Sequence, residues 1–344
     1  MIKRIGKRTL ALENRPYLLG HAAAVGKKEG EGPLGERFDY VAKNDRMGQR
    51  SWELAESELQ KTAIRLALRK ATLPERSLDL ILAGDLLNQC IGSFLASMHA
   101  NVPYLGQYGA CSTMAQGLAL GGCLVESGAA DRLLAAASSH FCSAERQYRF
   151  PLAYGGQRTP TAQWTATAAG AAVLGNSPMP GTAEPCDVRV THVLFGRMVE
   201  MGVTDAANMG AAMAPAAADT LSALLEDLGA QPRDFDCIVT GDLGHIGADL
   251  LLTLLRGDSI DLSPVYSDCG SLIFGDEQDA HAGGSGCGCS AAVLCGPLLR
   301  DMHRGKIHRL VFAGTGAMMS PTSVQQGQPI AGICHAVVLE RSEA

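Results

Sequence analysis

The sequence has 344 residues, 47% apolar and 19% charged, with 40 glycines and only 5% aromatic residues. That composition excludes a disordered chain and supplies material for one large or two ordinary domains. A net charge of −6 argues against a general nucleic-acid binder, and the few aromatics argue against a base- or sugar-stacking surface.

The basic opening MIKRIGKRTLALENRP is broken by Arg8, Glu13 and Arg15. A signal peptide needs about 7–15 uninterrupted apolar residues, so none is expected. Residues 50–71 read as a helix, with Leu59, Ala63, Leu66 and Ala67 on one face. The run LDLILAGD (78–85) reads as a buried strand. A small-residue helix is expected over 111–127 and a strand over 131–137. In the second half, helices are expected at 217–228 and 289–303, and strands at 236–242 and 309–314. The uncharged stretches 102–125 and 159–183 carry prolines, glycines and polar residues where a spanning helix wants Leu, Ile and Phe. They read as buried α/β core, with no transmembrane helix.

The chain repeats itself. DLILAGDL (79–86) matches DCIVTGDL (236–243), GACSTM (109–114) resembles GCGCSA (286–291), and DRLLAAAS (131–138) matches HRLVFAGT (308–315). Three matches in one order indicate a duplicated domain, with halves at 1–182 and 183–344 and a Pro/Gly-rich joint at 175–185. Eleven cysteines without a CxxC pair read mostly as small buried hydrophobes in a reducing compartment.

Cys111 stands where an apolar segment turns into a helix, behind Gly109 and Ala110. Such a turn offers free N–H groups and partial positive charge, which lower a thiol pKa and hold a carboxylate or oxyanion. A buried small hydrophobe is the plain alternative. His140 closes a strand-like run, at an edge where α/β pockets form, though a lone histidine also serves as a hydrogen-bonded structural group. Arg146 and Arg149 offer paired planar donors to a carboxylate, or surface ion pairs. Asp85 follows Gly84 at a strand end and reads as a helix cap, a ligand contact, or both; Asp242 is its repeat equivalent. His281, His303 and His308 show no metal-ligand spacing, so no metal site is expected.

With its duplicated halves, its Cys111 turn and the closing GGSGCGCSAAV (283–293), the chain resembles the thiolase superfamily, most of all the 3-oxoacyl-(acyl carrier protein) synthase III branch. That resemblance implies a layered αβαβα fold of two pseudo-symmetric halves and a homodimer. It also implies a catalytic His just after DCIVT, where Gly241–Gly244 stand and His245 is displaced. The family's Asn is expected before Ser290, where Cys287, Gly288 and Cys289 stand.

A more specific resemblance runs through AGDLLNQ (83–89), GACST (109–113), AERQYRFP (144–151), YGGQ (154–157), MGAAMAPAAADT (209–220) and AGGSGCGCS (282–290). These segments are similar to the stage V sporulation protein AD family of endospore-forming bacteria. The resemblance implies a non-enzymatic binder of dipicolinic acid (pyridine-2,6-dicarboxylate), taken with or without the calcium that the ligand itself would carry, and needing no cofactor. It implies other stage V sporulation A membrane proteins as partners and a place in the cytoplasm or at the spore inner membrane. Asp85, Cys111, Ser112, His140, Arg146 and Arg149 are the expected ligand contacts, with no catalytic residue. The alternatives are a condensing-type acyltransferase using Cys111 with His245 or His140 as base, and a structural adaptor with a vestigial pocket.

Overall fold

The computed structural model of the protein describes residues 1–148 and 157–342. Its first five-stranded unit runs, across the sheet, Tyr104–Gly106, Leu80–Gly84, Arg132–Ser139, Ala168–Gly175, Tyr17–Val25. The second runs Tyr266–Asp268, Cys237–Thr240, Arg309–Met318, Ala331–Arg341, Val188–Leu194. Counted along each half, both have the order 3-2-4-5-1. In both, the first three strands listed pair in parallel and the fourth is antiparallel. The halves meet at the pair Arg189↔Tyr17.

The repeated sequence makes repeated contacts. Asp79 Oδ2 accepts from the backbone N–H of Asp131 and Arg132 at 2.8 and 2.9 Å. Asp236 Oδ2 accepts from His308 and Arg309 at 2.7 and 2.9 Å. Each carboxylate ties the start of one central strand to its neighbour. Duplication is therefore visible down to single hydrogen bonds.

Period-two alternation sorts the side chains into layers. Leu310 and Phe312 face inward while Val311 and Ala313 face outward. The helix Trp52–Lys70 covers the outer face of the first sheet, packing Leu59, Ala63 and Ala67 against Ala22, Ala24 and Ala171. Met209–Leu228 covers the second sheet's outer face through Ala217, Leu221 and Leu224. Between the sheets lie Thr113–Glu126 and Cys287–Val293, whose Met114, Leu118, Ala291 and Val293 share a core with Leu133, Phe312 and Val337. The layers read α, β, α, β, α. A fully buried Leu or Phe in that middle layer contributes roughly 1.5–3 kcal/mol.

Two helices differ from their sequence expectation. The helix expected at 217 begins at Met209, because Pro215 is accommodated inside it rather than ending it. The helix expected over 289–303 is divided by a wide turn at Leu294–Leu298 around Pro297, which has no N–H to continue the ladder. All eleven cysteines are free, seven of them buried. Among the described residues no helix is long and apolar enough to cross a membrane.

The middle layer depends on close backbone approach. A Cβ on Gly170 would fall 2.3 Å from the carbonyl oxygen of Ala291. Gly170→Ala is therefore expected to lower unfolding stability by about 1–3 kcal/mol in a denaturant titration, the scale of overpacking. An unchanged midpoint would contradict this packing of strand on central helix.

Candidate functional site

The strand Tyr104–Gly106 delivers the chain to a tight turn before the central helix Thr113–Glu126. Ala110 takes the left-handed backbone conformation there, with φ of 48°. That strained turn presents Cys111 at the floor of a cleft between the halves. The first half supplies Tyr108, Glu145 and Tyr148; the second supplies Met209, Ser285, Ala317 and Met319. The cleft encloses about 510 Å³ of atom-free space, counted out to its open mouth. No histidine or asparagine lines it among the described residues.

The partner of the Cys111 thiol is Asp242, which follows the strand Cys237–Thr240. The thiol donates to the Asp242 carboxylate. Gly286 N–H donates to Oδ2 at 2.8 Å and Thr315 Oγ1 donates to Oδ1 at 2.9 Å. Burial pushes Asp242 up to about 6, although these donors pull the other way. Burial, then the negative charge of Asp242, pushes the Cys111 thiol well above its usual range. The sequence led us to expect a lowered thiol pKa from the helix start. Here desolvation and a facing carboxylate outweigh that dipole.

The helix start is itself engaged. Ser112 N–H donates to the Gly109 carbonyl at 3.0 Å and Thr113 N–H to the Ala110 carbonyl at 3.3 Å. These two N–H groups, expected to grip a ligand carboxylate, close the turn instead. Ser112 is buried, and its hydroxyl donates to the Gly109 carbonyl at 2.6 Å.

Asp85, His140 and Arg146 do not line the Cys111 cleft. Asp85 is buried and accepts from Leu87 N–H at 2.8 Å and Ser93 N–H at 2.7 Å, capping the segment that follows it. Burial raises its pKa, and it sits near the buried Glu56. His140 is buried beside Trp52, its Nε2 2.8 Å from the Asp45 carbonyl oxygen, and burial lowers its pKa. Arg146 is exposed and paired with Glu53. Arg149 lies outside the described residues. His245 is exposed in a separate surface hollow with Asp279 and His281.

Asp242, Glu145 and Tyr148 escaped sequence reasoning as site residues. Asp242 was legible only as the repeat partner of Asp85, and local sequence gave both the same GDL setting. Glu145 is buried in the cleft wall, accepts from Thr165 Oγ1 at 2.9 Å, and stands 3.7 Å from an Arg158 nitrogen.

Comparison with known proteins fits this geometry. Residues 6–340 match the family described as stage V sporulation protein AD. The curated stage V sporulation protein AD of Bacillus subtilis (strain 168) is 40% identical over 341 residues, covering 99% of each chain. The chain belongs to the stage V sporulation protein AD family. Its fold is also that of condensing enzymes. The 3-oxoacyl-[acyl-carrier-protein] synthase III of Aquifex aeolicus VF5 superposes with a TM-score of 0.57 at 15% identity, over 94% of this chain and 99% of its own. OleA of Xanthomonas campestris gives 0.60 at 15% identity, over 95% and 98%. The family of sporulation proteins thus uses the thiolase-like layered fold.

The site makes a prediction about charge. Asp242→Asn removes the negative charge facing Cys111, so site-resolved mass spectrometry should find Cys111 alkylated faster by iodoacetamide than in the parent. The variant should also change the pH profile. With about 6 in the fold against 3.8 when free, protonation of Asp242 stabilises the fold fully below pH 3.8, and that gain is lost as pH rises through about 6. Denaturant midpoints of Asp242→Asn should fall less steeply across this window. An unchanged alkylation rate and slope would remove Asp242 from the thiol's surroundings.

Proposed function

We propose that the protein binds dipicolinate, as its calcium chelate, in the Cys111 cleft without covalent chemistry, as a partner of sporulation membrane proteins. The observation that carries the non-catalytic part is the facing pair of Cys111 and Asp242. A condensing cysteine needs a base that leaves a thiolate beside positive charge, and donors for the thioester oxygen. Here a carboxylate faces the sulfur, which keeps the proton on it. His140 and His245, the candidate bases, are held elsewhere. Gly288 leaves no room for an asparagine, since even a Cβ there would fall 2.1 Å from the Ala168 carbonyl oxygen.

The family resemblance supplies the ligand class, and the charges of the cleft favour its chelated form. Free dipicolinate is a dianion and would meet Glu145 in the wall and Asp242 behind the floor. Its one-to-one calcium chelate carries no net charge, and calcium accepts carboxylate oxygens readily. Tyr108 and Tyr148 offer flat faces to a pyridine ring, their hydroxyls donating to the Met319 and Leu86 carbonyls. Arg158, beside Glu145, is the nearest described cation to that wall.

Calorimetry on the purified chain tests the reading. Dipicolinate with equimolar calcium is expected to bind saturably and more tightly than dipicolinate alone, with Glu145→Gln losing most of the calcium advantage. Cys111→Ala should bind within about 1–2 kcal/mol of the parent, because the sulfur serves as volume, whereas Cys111→Trp should not bind. Absence of saturable heat from either ligand form would overturn the proposal.

A further inference from the structure

Far from the Cys111 cleft, three side chains converge on the joint between the halves. His21 comes from the strand Tyr17–Val25, Glu184 from the Pro/Gly-rich connection, and His303 from the end of the helix Leu299–His303. The two imidazoles are stacked, with centroids 5.2 Å apart and planes within 7°. His21 Nε2 lies 2.6 Å and His303 Nε2 3.7 Å from the same Glu184 oxygen, Oε2. One ligand atom from each residue falls within 4.8 Å of the others.

The outer ring nitrogens fix the tautomers. His21 Nδ1 meets the carbonyl oxygen of Cys295, which can only accept, so Nδ1 holds the proton. His303 Nδ1 lies 2.7 Å from the Asp187 carboxylate and is protonated for the same reason. With Nδ1 engaged outward on both rings, each Nε2 is turned toward Glu184. His21 is 1% exposed, and its Nε2 and Glu184 Oε2, both shut away from solvent, face each other at 2.6 Å. A ring nitrogen and a carboxylate oxygen 2.6 Å apart in a buried place share one positive charge, a proton or a metal ion.

We propose that His21, Glu184 and His303 bind one divalent cation of the zinc class, clasping the connection onto both halves. Two imidazoles and a carboxylate are a zinc donor set, with water completing the fourth position. Ligand atoms on a tetrahedron with bonds of about 2.0 Å stand about 3.3 Å apart. The separations of 2.6 and 3.7 Å bracket that value, and the third, between the two imidazole nitrogens, is within 4.8 Å. The Asp187–His303 contact is the carboxylate–histidine arrangement that orients metal-bound imidazoles. Lys70 Nζ opposes the cation, but it faces the other Glu184 oxygen, Oε1, at 3.7 Å. Glu184 is 24% exposed and gives an entry path.

Zinc and cobalt(II) are the probes, added to chelator-dialysed full-length protein kept reduced. One equivalent of zinc should bind and raise the unfolding temperature. Cobalt should give weak ligand-field bands without thiolate charge transfer, since the donors are nitrogen and oxygen. Glu184→Gln and His303→Gln should each abolish stoichiometric uptake, and Asp187→Asn should weaken it about 10–100-fold. No uptake by the parent would overturn the proposal and leave a proton shared by His21 and Glu184. Thiolate bands, or uptake unchanged in folded Glu184→Gln and His303→Gln variants, would overturn it too. If both variants misfold, the parent's stoichiometry and cobalt spectrum decide alone.

Discussion

Between the two sheets the Cys111 sulfur, at the floor of the cleft, faces the fully buried Asp242 carboxylate, where two negative charges cannot stand together. One proton must stay in the pair, and the sulfur keeps it. Much of the surrounding structure serves that arrangement. Thr315 and the Gly286 amide hold the carboxylate in place from two segments of the second half. The strained turn at Ala110 brings the thiol to it from the first half. The contact thus joins the halves at the point where their central helices start.

The same layered framework is found in a 3-oxoacyl-[acyl-carrier-protein] synthase III at only 15% identity, so fold alone does not carry the chemistry across. In this chain a carboxylate faces the thiol, and Gly288 lies too close to the Ala168 carbonyl to carry a side chain. The cleft has a mostly apolar interior with two tyrosines and one buried glutamate. The paired histidines around Glu184, from the strand Tyr17–Val25 and the helix Leu299–His303, are a second, chemically separate contact between the halves.

The architecture was legible because duplication wrote it twice. Asp79 and Asp236 occupy matching sequence contexts and make matching hydrogen bonds. The strand Ala168–Gly175 was harder to see, since its alanines and glycines carry little β-propensity and are chosen for close approach to the central helix. Asp85 and Asp242 show where sequence stops informing the site. Both sit in GDL, yet Asp85 caps its own segment while Asp242 turns to Thr315, Gly286 and Cys111. Only long-range packing separates those fates. Arg146 likewise has a local setting suited to a ligand, but Glu53, distant in sequence, takes its charge. His303 lacked any ligand spacing because its partners arrive from the first strand and the connection.

The central claim is that Cys111 is chemically silent toward thioesters. Incubating the purified chain with acyl-coenzyme A and malonyl thioesters, followed by intact-mass and peptide analysis, tests it directly. The account predicts an unmodified Cys111 and no condensation product. An acyl group on Cys111, or a product whose formation disappears in Cys111→Ala, would contradict it.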